Sequence, residues 1–238
     1  MSNYENYMPY STPLDTTESI NAIFRKVYQY MAFGLILTAF TAYFTASSMT
    51  MIQLLFSSRA PIIILCVAEI GLVIALGAGL NKMSASTART LFFVYSLLNG
   101  LTCSSVLLVY TGESVYKAFI STAGMFGAMS LYGLYTKRDI TTWGSFLIMG
   151  LWGLIIAMLI NIFVGSSRAD FVISILGIII FMGLTAYDTA KIKMTAASYD
   201  SRDEEMTGKI AVIGALQLYL DFINIFLYLL RLFGTRRD

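Results

Sequence analysis

Seven long apolar runs separated by short charged loops leave this chain few ways to fold. They fall at about 27–47, 61–80, 90–110, 115–136, 143–164, 171–194 and 210–231, each near the roughly 20 residues that an α-helix needs to cross a bilayer. Lipid offers no partner to an exposed N–H or C=O, so only helices or closed barrels span it. Runs of this length without strict alternation are helices. Pro61 opens the second run, where a missing N–H costs least. Composition agrees, with 57% of residues hydrophobic and 13% charged, against about 25% charged in an ordinary soluble domain. The expectation is an all-α integral membrane protein with one seven-transmembrane-helix domain over 25–234. A polar cytoplasmic N-terminal tail (1–24) precedes it and a short basic tail (235–238) follows. The N-terminal tail lacks the basic-then-apolar order of a cleaved signal, and the first run is too long for a signal's apolar core.

Several chemistries are excluded at once. The chain has no histidine, which removes imidazole metal sites, Ser-His-Asp and Cys-His catalysis and histidine pH sensing. A net charge of +2 without a basic cluster speaks against nucleic acid. Cys66 and Cys103 lie far apart in apolar runs and read as small core residues, not as a disulfide. Gly71, Gly77, Gly79, Gly124, Gly127, Gly150, Gly153, Gly177 and Gly183 are predicted at close helix approaches, because lipid supplies no hydrophobic drive for packing. Asn99, Thr102, Ser104, Ser105 and Asn161 read as interhelical hydrogen-bonding residues.

The loop charges set an orientation. Arg25, Lys26, Lys82, Arg89, Lys137, Arg138, Lys191, Lys193, Arg202 and Lys209 fall on one side, and only Arg59, Lys117 and Arg168 on the other. The richer side is cytoplasmic by the positive-inside rule, which puts the N-terminus inside. Arg231, Arg236 and Arg237 then conflict with the rule if the seventh run spans. Either the rule is overruled there, or the last run is short or re-entrant and returns the tail to the cytoplasm. The one sizeable loop, about 195–209, is aqueous.

Three acids interrupt the apolar runs: Glu69, Asp188 and Asp221. An ionised carboxylate at the bilayer centre costs at least about 2.5–3.5 kcal/mol, so each needs a reason. Asp221 belongs to a stripe of Gln217, Asp221, Asn224, Tyr228 and Arg231, whose spacing of four, three, four and three marks one helix face. Counted from the expected cytoplasmic ends of their helices, Asp188 lies about 8 Å deep and Asp221 about 16 Å. Boundary shifts of two to four residues close most of that gap, so the two are expected to meet at a shared depth on neighbouring helices. Two close carboxylates in a low dielectric cannot easily both ionise, so the pair retains a shared proton. Losing it leaves two negative charges that attract a hard cation such as Ca²⁺. Gln217 and Asn224 add carbonyl oxygens, and Lys82, Arg89 or Lys191 are bases within range of a latch.

The segment Leu218-Tyr-Leu-Asp-Phe-Ile-Asn-Ile-Phe-Leu-Tyr-Leu-Leu-Arg-Leu-Phe-Gly234 resembles the C-terminal signature of the Bax inhibitor-1 family. Gly183-Leu-Thr-Ala-Tyr-Asp-Thr-Ala-Lys-Ile-Lys193 resembles its sixth-helix motif. Asn99-Gly-Leu-Thr102, Met129-Ser-Leu-Tyr-Gly133, Thr136-Lys-Arg-Asp-Ile-Thr141 and Glu69 are also similar, so the likeness spans roughly 25–234. It implies a seven-helix bundle with the last helix central and a pH-sensitive Ca²⁺ leak gated by paired aspartates, here Asp188 and Asp221. In the family a base near the inner end of helix two can latch the sixth-helix aspartate. That position falls near Leu80, and Lys82 is the nearest base. The short tail and compact loops resemble a bacterial member, in the cytoplasmic membrane.

The leading expectation is therefore a Ca²⁺-permeable, proton-gated leak with no cofactor, its partners being the bilayer, Ca²⁺ and protons. Two alternatives are a membrane adaptor that restrains a membrane protease or other membrane protein, and a Ca²⁺/H⁺ exchanger. An aspartyl-dyad enzyme is disfavoured because no Gly-x-Gly-Asp surrounds either aspartate.

Overall fold

The computed structural model describes residues 13–140, 142–199 and 203–237. These form α1 (Pro13–Ser47), α2 (Met49–Phe56), α3 (Arg59–Gly79) continued by a 3-10 turn (Leu80–Lys82), α4 (Ala85–Val109), α5 (Gly112–Tyr135), α6 (Trp143–Val164), α7 (Ser167–Ala197) and α8 (Glu204–Phe233). The ends are set by short polar residues that satisfy the first free N–H groups. Ser84, Thr111, Ser166 and Asp203 accept from the amides of Thr87, Thr111's third successor Ser114, Ala169 and Met206. Gly165 closes α6 in the left-handed region with φ 66°, a conformation only glycine adopts cheaply.

Six of the described helices are long and apolar enough to cross a membrane: α1, α3, α4, α6, α7 and α8. α5, which holds the fourth expected span, is not among them. It is 24 residues long, but its glycines and hydroxyl side chains lower its hydropathy. α2 is a short helix in what reads as a loop. The N-terminal boundary also moves: α1 begins at Pro13, so much of the stretch read as a tail is helix. Its Ile23, Phe24, Val27 and Met31 are buried at spacings of one, three and four, a helical face that the surrounding polar residues disguise. The remainder of that tail, 1–12, lies outside the described residues. The aqueous loop shrinks to the connection between Ala197 and Glu204, and 200–202 within it also lie outside the described residues.

α8 packs against α7, α1, α5 and α4. In its most apolar stretch 72% of residues are buried, against 11% for α3, so α8 is faced by protein and α3 by lipid. α8 is one unbroken helix of 30 residues, about 45 Å long, so the last run is not a short segment. The tail beyond it is clasped to the α4–α5 turn. Tyr110 and Arg236 form an antiparallel bridge, the Thr111 amide donates to the Thr235 carbonyl at 3.0 Å, and the Arg237 amide to the Val109 carbonyl at 2.9 Å.

The glycines divide differently from expectation. Nothing lies within 4 Å of a Cβ placed on Gly71, Gly77, Gly124, Gly127 or Gly153, so these do not serve close packing. Gly79 meets only the end of Met83, and Gly150 meets Ile180 in looser contact. Gly177 and Gly183 do serve packing, against Tyr228 and Leu147. The tightest approach is at Gly133, where a Cβ would stand 2.3 Å from the Ala186 carbonyl oxygen of α7. Backbone cannot retreat as a side-chain tip can, so Gly133→Ala is expected to destabilise the α5–α7 contact by about 1–3 kcal/mol, while Gly124→Ala costs nothing. Thermal unfolding of the two variants in detergent checks this: equal melting temperatures would refute the contact.

Candidate functional site

The two aspartates lie on helices that run antiparallel in direct contact. Gly214 of α8 meets Ile192 of α7, and Gly177 of α7 meets Tyr228 of α8. Both acids fall between these two contacts in sequence, Asp188 on α7 and Asp221 on α8. Asp188 and Asp221 are within electrostatic reach of each other, and Thr185 adjoins Asp221. Both acids are buried, with exposures of 9% and 3%.

The hydroxyls near the pair are already committed. Thr185 donates to the Phe181 carbonyl at 2.8 Å and Thr189 to the Thr185 carbonyl at 2.7 Å. Ser130 of α5 joins Thr189 at 3.2 Å and Tyr28 of α1 at 2.5 Å. One carboxylate oxygen of Asp221, Oδ2, is buried with no hydrogen-bond partner among the described residues. A buried acceptor of that kind is rare and fits a proton or a cation. Among the described residues no three acids, cysteines or histidines converge. Ca²⁺ takes six to eight oxygens, more than two carboxylates supply.

The other predicted site residues fall at varying distances from this pair. Asn224 turns its amide onto the Leu220 carbonyl of its own helix at 2.8 Å. Gln217 is half-buried. Arg231 is exposed and lies over the Tyr228 ring, 5.6 Å from its centroid. Lys82 is exposed in the turn after α3 and forms no ion pair among the described residues. The base within electrostatic reach of Asp188 is Lys191, held over the Tyr187 ring at 5.9 Å.

Glu69 belongs to a separate polar system. It accepts from the Thr102 hydroxyl at 2.5 Å and the Asn99 amide at 3.5 Å. The Tyr219 hydroxyl donates to Asn99 Oδ1 at 3.0 Å and pairs with Thr38 at 2.5 Å. Asn99 and Thr102 thus make interhelical bonds as expected, and Asn161 bridges to Asp170 at 2.7 Å. Ser104 and Ser105 instead bond carbonyls of their own helix.

The profile of the family described as "Inhibitor of apoptosis-promoting Bax1" matches residues 20–238. The chain belongs to the Bax inhibitor family. It is 48% identical over 212 residues to the inner membrane protein YbhL of Escherichia coli strain K12, covering 89% of this chain and 91% of that one. An uncharacterized protein of Borreliella burgdorferi is 47% identical over 219 residues, covering 92% and 94%. The uncharacterized protein RP147 of Rickettsia prowazekii is 44% identical over 221 residues, covering 93% and 92%.

In this Bax inhibitor family member Thr185 adjoins Asp221, and a hydroxyl chain runs from Thr189, next to Asp188 in sequence, through Ser130 to Tyr28; sequence reasoning singled out none of these four. Thr185 and Thr189 were open to it: with Asp188 they stand at i, i+3 and i+4, one face of a helix. Ser130 and Tyr28 come from distant helices and left no such signal. Tyr219→Phe keeps the ring against Phe92 and Tyr95, 5.7 and 5.8 Å away, and deletes only the hydroxyl between α1 and α4. It is expected to lower stability by about 1 kcal/mol, read by thermal unfolding in detergent; an unchanged melting temperature would show that the link is idle.

Proposed function

We propose that the protein is a pH-sensitive Ca²⁺-permeable leak of the bacterial inner membrane, gated by Asp188 and Asp221. The observation that carries this is the buried pair on adjoining helices, with Asp221 Oδ2 unpartnered among the described residues. On this reading the chain crosses seven times: α5 completes the count alongside α7 and α8, and α8 forms the axis of the bundle. The N-terminus faces the cytoplasm, on the side richer in Lys and Arg. The inner membrane is also where the E. coli relative's name places that protein.

In the closed form one proton shared by the pair cancels a charge that lipid-facing protein cannot solvate. Lys191 offsets the charge that remains on Asp188. When the proton leaves, two like charges in a low dielectric repel strongly. Their relief is separation of α7 from α8 at that level and entry of a divalent cation. Protonation closes, so flux rises with pH.

The test is Ca²⁺ flux through purified protein in liposomes, scanned from about pH 5 to 8. Wild-type flux is expected to climb across the range, and Asp221→Asn and Asp188→Asn to flatten the profile. Folded protein with no flux at any pH would overturn the proposal and favour an adaptor role. Protons moving in fixed ratio with Ca²⁺ would make the same acids those of an exchanger.

A further inference from the structure

α5 and α6 each pack on α7 far more than on each other. The gap between them is a trench of about 600 Å³. Met129 of α5 forms one wall and Trp143 and Phe146 of α6 the other, while Ile179, Met182 and Gly183 of α7 make the floor. Glycine at 183 deepens the floor. Phe146 and Ile179 are 69% and 60% exposed, so the trench opens sideways, toward the medium around the bundle. Trp143 is the first residue of α6, which places one end of the trench at the α5–α6 connection. There Lys137 and Arg138 are exposed, and neither forms an ion pair among the described residues. Asp139 beside them is engaged in an interaction of its own.

We infer that this trench is a binding site for an anionic phospholipid, with one acyl chain against α7 and the headgroup phosphate between Lys137 and Arg138. Three features select this occupant. The walls are apolar and face the region where lipid tails lie. α5 contributes a single residue, Met129, to the lining, and such a narrow groove suits a hydrocarbon chain. The open end joins two free cations to Trp143 and the exposed Tyr135, the residue types that mark the headgroup level and recruit anionic lipid.

Trp143 is also a built-in reporter. The chain has two tryptophans, and Trp152→Phe leaves Trp143 alone. The full chain is reconstituted in phosphatidylcholine vesicles carrying increasing brominated phosphatidylglycerol or, in parallel, brominated phosphatidylcholine. Quenching of Trp143 by the anionic lipid is expected at a mole fraction about three-fold lower or less. Lys137→Gln with Arg138→Gln should merge the two curves, and Ile179→Phe, which fills the floor, should weaken quenching by both lipids. Helicity by circular dichroism confirms that each variant is folded. Coincident curves in the starting protein, a preference that survives the double charge removal, or quenching untouched by Ile179→Phe would each overturn the site. So would a Trp143 shielded from both lipids in a protein that cross-links to a second copy.

Discussion

A carboxylate inside a bilayer must divide its charge with something, and the shape of this molecule follows from where that is arranged. Each ion exposed to lipid costs at least about 2.5–3.5 kcal/mol, so Asp188 and Asp221 are enclosed by helices. α7 and α8 carry them in antiparallel contact, and α1, α4 and α5 cover the rest of α8. Asp221 has its neighbour acid and Thr185 beside it, and one oxygen, Oδ2, without a hydrogen-bond partner among the described residues.

α8 carries two unlike polar faces only two residues apart. Successive positions turn by about 100°, so Tyr219 and Asp221 point some 200° apart around the axis. The Tyr219 side is closed: its hydroxyl joins Thr38 and Asn99, and Asn99 continues to Glu69. Satisfied networks of this kind rigidify what they connect. The Asp221 side keeps one acceptor unmet among the described residues. One face therefore ties the helix to α1 and α4, and the other carries the acid toward α7.

Much of this was legible in the sequence, because hydropathy and intramembrane acids obey strong local rules. The helices near 61–80, 90–110 and 143–164, and the stripe bearing Asp221, follow from spacing alone. The errors come where tertiary packing sets the answer. Polar residues hid the buried face at Ile23, Phe24 and Val27. Lys82 is close in the motif pattern yet lies exposed in the turn after α3, whereas Lys191 shares a helix with Asp188. Glycine counts overstated packing at Gly124 and Gly127 and missed Gly133, since only the facing surface tells which glycines another backbone needs.

The enclosure of α8 also bears on how the protein is made. α8 leaves the ribosome after every helix it packs against, at a synthesis rate of about 5–20 residues per second. Until then Thr38, Ser96 and Asn99 border a vacant slot, and the hydroxyl that later joins two of them has not yet been translated. The earlier helices cannot adopt their final packing as a smaller finished bundle. Assembly is instead completed from the carboxyl end, and the strand pairing of Arg236 with Tyr110 ties the last helix to the turn it reaches once it is in place.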